Sequence, residues 1–142
     1  MADVKLELLT LCDHALTSKE GKLSIIGIFD RMFVKKTPST FARFFVVAVL
    51  TGKPESQHKI ALSIKDPQGK EVLPQAKEIA IKLGSQGRSN IITDIVNMPL
   101  SMTGEYTVTL SEKGQKLGEK KFGVIKVGAS HASKVHSADL PN

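Results

Sequence analysis

Cys12, Asp13 and His14 are the closest this chain comes to a nucleophile beside a base. A thiol next to an imidazole can be deprotonated and attack, and a third group that orients the base completes such a site. In an extended strand, neighbouring side chains point to opposite faces, so Cys12 and His14 share a side while Asp13 turns away. The commoner role for such a cysteine is that of a small buried hydrophobe, because a reactive thiol sits partly exposed in an electropositive pocket. The other histidines, His58, His131 and His136, show no metal-binding spacing, and the one cysteine adds no second sulfur ligand. Asp30, Asp66 and Asp94 fall near strand ends, where capping a turn is the usual role and gathering calcium the rarer one. Gly84-Ser85-Gln86-Gly87-Arg88 has two glycines but lacks the lysine and following helix of a phosphate-binding loop. The residues therefore point to no catalytic group, no metal ligand and no cofactor site.

The elements that would position any such group are strands. His58–Lys65 places Ile60, Leu62 and Ile64 on one face and Lys59, Ala61, Ser63 and Lys65 on the other. Ile79, Ile81 and Leu83 repeat the pattern, as do Tyr106, Val108 and Leu110. Turn residues punctuate these runs at Lys19–Lys22, Gly52–Ser56, Asp66–Gly69 and Glu112–Gln115. No helical period is sustained. The expected fold is an all-β antiparallel sandwich of about seven to nine strands, with Greek-key connections of the immunoglobulin-like kind. Gly104-Glu105-Tyr106 suits the corner of a late strand, with the tyrosine ring buried and its hydroxyl bonded to nearby backbone. The fold is read as one domain over residues 1–128, with 129–142, rich in small polar residues, as a flexible tail.

Two runs break the rule of one wet face. Between Lys22 and Phe33, Leu23, Ile25 and Phe29 oppose Ile26 and Ile28; within Phe41–Leu50, Phe45, Val47 and Val49 oppose Phe44, Val46, Ala48 and Leu50. Strands apolar on both faces need cover on both, either from a loop of the same chain or from a partner. Ile26, Ile28, Phe44, Val46 and Leu50 are the interface candidates on the second account. Gly27, within the first run, marks a bulge or a close backbone approach.

The net charge of +6 raises the question of an anionic partner, nucleic acid or a membrane surface. The basic residues are scattered among acids, however, and the doublets Lys35–Lys36 and Lys120–Lys121 do not extend into runs. With no Trp and one Tyr, a base-stacking platform has almost no material. A single cysteine excludes an internal disulfide and fits a reducing compartment. The N-terminus lacks a signal-peptide pattern and no apolar run reaches the roughly 18 residues of a membrane span, so a cytoplasmic location is expected.

Leu11-Cys12-Asp13 with Ala15, Gly21-Lys22-Leu23-Ser24, Ile26-Gly27-Ile28-Phe29-Asp30 and Phe44-Phe45-Val46-Val47-Ala48 resemble a family of small bacterial proteins of unassigned function. Pro67-Gln68-Gly69 and Gly104-Glu105-Tyr106 match its later turn and strand, so the likeness runs from about Leu6 to Val127. The resemblance implies a bacterial, compact β-sandwich and brings no site residues with it. The function expected from the residues is a non-enzymatic binding or assembly module, acting on a protein partner or on itself. The alternative is a basic domain that binds an anionic ligand.

Overall fold

The computed structural model describes residues 4–74 and 77–128. Nine strands follow one another: β1 (Val4–Thr17), β2 (Leu23–Phe29), β3 (Arg31–Val34), β4 (Ser39–Gly52), β5 (Gln57–Lys65), β6 (Lys77–Lys82), β7 (Arg88–Leu100), β8 (Gly104–Glu112) and β9 (Gln115–Lys126). They form a four-stranded sheet of order β2-β1-β4-β7 and a five-stranded sheet of order β3-β9-β8-β5-β6. β4 and β7 are neighbours in one sheet while their successors β5 and β8 are neighbours in the other. That interlocked arrangement is the Greek-key sandwich the sequence predicts. The segment 129–142, expected to be a flexible tail, lies outside the described residues.

Period-two alternation turns directly into burial. Ile60, Leu62 and Ile64 lie beside Tyr106, Val108 and Leu110 on the inner face of the five-stranded sheet, all at 1% exposure or less. Tyr106 stacks on Phe122 at 5.4 Å, and its hydroxyl donates to the Met102 carbonyl at 2.7 Å, which pins the corner before β8. The Asp66 turn is held by its own side chain, whose Oδ1 accepts from the Gln68 and Lys70 amides at 2.8 and 2.9 Å. Leu6 of β1 lies where a side chain on Gly118 would stand, so the two sheets approach closely there.

One expected strand is two. The run Lys22–Phe33 divides at Asp30: β2 ends one sheet and β3 begins the other, where it pairs parallel with β9. The Gly123 amide donates to the Asp30 carbonyl at 2.9 Å and anchors the crossing. An apolar run with both faces filled was thus two short strands, each lying at an edge.

Candidate interaction face

The two-sided hydrophobicity of β4 has an internal explanation. Phe44, Val46 and Leu50 point into the main core, each at 2% exposure or less, so none of the three can be an interface residue of the folded protomer. Phe44 meets Phe41 at 5.7 Å and Phe29 at 6.1 Å, both edge-on. The physical reason for the correction is direction. Alternation establishes that two faces are apolar, but not which of them meets the other sheet.

The opposite face of β4 is covered by the protein's first hairpin. β1 pairs with β4 only as far as Cys12↔Phe45, whereas its ladder with β2 continues to Thr17↔Leu23. Beyond that point the hairpin leaves the sheet and folds back over it. Its Ala15, Leu23 and Ile25 join Cys12 of the same hairpin, Phe45 and Val47 of β4 and Ile92 of β7 in a second apolar cluster. β2 and β7 are the two ends of a four-stranded sheet, some 14 Å apart across three strand spacings. Leu23, Ile25 and Ile92 pack on the same small cluster because the hairpin crosses above β4. At its tip the Asn90 side-chain amide donates to the Gly21 carbonyl at 3.3 Å.

The bend lies at Asp13 and Gly27. Gly27 has φ of 71°, and a β-carbon there would collide with the Asp13 carboxylate. No larger residue fits both the backbone and the space. Gly27→Ala is expected to lower stability by about 1–2 kcal/mol in urea denaturation and to speed thiol labelling of Cys12, since the cover over that residue loosens.

Cys12 itself is fully buried, and burial pushes its thiol up from the ordinary cysteine range, while the His14 backbone pulls the other way. The His14 ring packs edge-on to Phe45 at 5.7 Å instead of engaging the thiol. Cys12 is thus a packing element of the second cluster, while His14 is exposed beside Phe45.

A second polar constellation went unnoticed in the sequence. His58 Nδ1 lies 2.6 Å from Glu112 Oε2, with both side chains buried, and His58 Nε2 lies 2.8 Å from Ser56 Oγ. The spacing is that of a serine–histidine–carboxylate chain. The proton directions differ, because the Ser56 hydroxyl donates to the Lys53 carbonyl at 2.6 Å. Ser56 Oγ therefore lies within hydrogen-bond reach of His58 Nε2 without directing its own proton there. The chain ties the β4–β5 turn to the end of β8. The signal was present in the period-two phase, since His58 precedes Ile60, Leu62 and Ile64 and Glu112 follows Tyr106, Val108 and Leu110. Two polar residues at inward positions must find each other.

What is left exposed is a smaller apolar set than the sequence suggests. Ile26 and Ile28 of β2 are 56% and 64% exposed, and Leu16 on the neighbouring strand is 44% exposed. Phe33 and its β9 partner Ile125 add a pair on the other sheet's edge, at 48% and 38%. Since β2 and β3 are consecutive edge strands separated by Asp30 alone, these residues line one side of the sandwich. On the remaining side an open cleft of about 520 Å³ separates β6 from β7, lined by Lys77, Glu78, Ile79, Ile81, Ile92 and Asp94 among others. Among the described residues no three His, Cys, Asp or Glu side chains gather as a metal site, and no helix is long and apolar enough to cross a membrane. Of the basic doublets, Lys121 is engaged by Glu105 at 3.5 Å. Arg43–Asp94 is a bidentate surface pair, at 2.9 and 2.8 Å, with the guanidinium 5.3 Å over the Phe45 ring.

The sequence profile of a family of unknown function, DUF6941, matches residues 7–125. The chain belongs to that family. The match covers every strand of this DUF6941 chain from β1 to β9, including the hairpin and its bend. No curated protein is detectably similar in sequence. Among solved structures, the chain is similar to part of the alkylpurine DNA glycosylase AlkC of Pseudomonas fluorescens bound to DNA containing an abasic site analogue. There the TM-score is 0.52 at 16% identity, over 87% of this chain and 31% of that one. A β-glucosidase from Listeria innocua in complex with glucose gives 0.52 at 7% identity, over 88% and 16%. An immunoglobulin-like protein from Pseudomonas aeruginosa gives 0.48 at 19% identity, over 87% and 97%. The chain thus spans about a third of the glycosylase and about a sixth of the glucosidase, and what it shares with them is the sandwich.

Proposed function

We propose that this DUF6941 chain is a non-enzymatic binding and assembly module that makes protein–protein contact along its β2 side. The observation that carries this reading is the exposure of Ile26 and Ile28 on a strand that, among the described residues, has no neighbour on its outer flank. Sheet edges offer unpaired backbone groups, and soluble proteins blunt them with charge, proline or cover. This one carries two bare isoleucines instead, with Leu16 diagonal to Ile26 in the β1 ladder. The reading also rests on the two nucleophile candidates. Cys12 is sealed beneath the hairpin, and the Ser56 proton is directed to a carbonyl and away from the imidazole.

A photo-crosslinking residue at position 28, used in the cells that make the protein, is expected to give adducts of discrete mass. The same residue at exposed Lys59, on the polar face of the five-stranded sheet, is expected to give none. Equal adducts from both positions, or none from position 28, would overturn the reading.

A further inference from the structure

We infer that the partner at this edge is a second copy of the chain, joined antiparallel through β2 of each. The inference rests on the reading of β2 as an interaction edge and adds the identity and register of what it meets. Among the described residues β2 has β1 on one flank and nothing on the other, so its outer backbone groups can continue the ladder. A second β2 supplies matching donors and acceptors.

The charge order along the strand selects the orientation. Lys22 stands before β2 and Asp30 after it, with only Leu23, Ser24, Ile25, Ile26, Gly27, Ile28 and Phe29 between. A strand positive at its start and negative at its end is complementary to itself when reversed and repels itself when parallel. With the two-fold axis at Ile26, Lys22 faces Asp30 of the second copy, and the symmetry makes the contact twice. Both residues are exposed, and Asp30 is engaged only loosely, by Arg31 at 3.9 Å.

The same register gathers the apolar residues. Ile26 lies opposite Ile26 and Ile28 opposite Ser24, so four exposed isoleucines surround the axis and lose water there. Gly27 falls opposite Ile25, where it has no side chain to collide with. A partner of a single charge sign would satisfy one end of β2 and confront the other. A second copy satisfies both.

Sedimentation equilibrium over a concentration series tests this on the full chain. The unsubstituted protein is expected to self-associate. K22D sets acid against acid and D30K base against base, and each is expected to weaken association about tenfold. The double variant K22D/D30K restores both pairs with their signs exchanged and is expected to return to the starting affinity. These are exposed positions, and circular dichroism confirms that each variant is folded. A chain that stays monomeric throughout, single variants without effect, or a double variant without recovery each overturns the inference. Adducts at position 28 to other masses alongside a monomeric chain reject the second copy and leave the module reading standing. A dimer that responds to the charge exchange supports both.

Discussion

Replacing Glu112 with alanine is expected to destabilise the sandwich by about 3–5 kcal/mol, because it strands the buried His58 ring without its partner. His58 and Glu112 are 8% and 7% exposed and touch at 2.6 Å, so neither can turn to solvent when its partner is lost. Domains of this size are stable by about 5–15 kcal/mol, so the single change removes a large share of the total. The companion prediction separates the bond from the burial. Substituting both residues with leucine removes the polar groups together and is expected to cost much less than Glu112→Ala, approaching neutrality. Urea denaturation of the three proteins measures the difference. A double variant as unstable as the single one would show that shape at this site matters more than polarity.

Phe44→Ala is expected to cost about 3–5 kcal/mol, the range for emptying a fully buried aromatic site. Its ring is fully buried and holds Phe29 and Phe41 edge-on, so truncation leaves a cavity between β4 and the crossing from β2 to β3. The result separates core from surface. In the fraction that stays folded, Phe44→Ala is expected to leave self-association unchanged, while Ile28→Asp abolishes it at little cost to the denaturation midpoint. Loss of association on Phe44→Ala, in protein shown to be native by its near-ultraviolet dichroism, would count against that division.

These two residues show where reading the chain succeeds and where it stops. β5, β6 and β8 were legible because each has one wet face, and Lys59 or Thr107 marks outside as clearly as Ile60 or Val108 marks inside, whereas β7 and β9 show no such plain alternation. Tyr106 and the Asp66 turn were legible for the same reason, since their geometry is local. Phe44 was not, because Phe45 beside it is equally apolar and nothing in the residues says which face meets the other sheet. The doubled apolar faces did report a need for cover. They could not report that the cover was the protein's own hairpin, because that depends on a bend between Asp13 and Gly27, fourteen positions apart in sequence and opposite each other in the ladder. The Ser56–His58–Glu112 chain was hidden by distance, with His58 and Glu112 separated by 54 positions. The division at Asp30 was hidden because an edge strand that switches sheets reads like one continuous strand.

The folded-over hairpin also gives the molecule two levels of stability. The main core draws buried residues from both sheets, whereas the cluster beneath the hairpin has only Cys12, Ala15 and Val47 fully enclosed. A unit with so few enclosed groups opens at a lower free energy than the whole domain, so it behaves as a separate cooperative segment. Its lifting exposes Cys12 and the outer side of β4 while the sandwich stays intact. Under native conditions, then, the amide protons and the thiol of this hairpin exchange and react on their own clock, ahead of global unfolding.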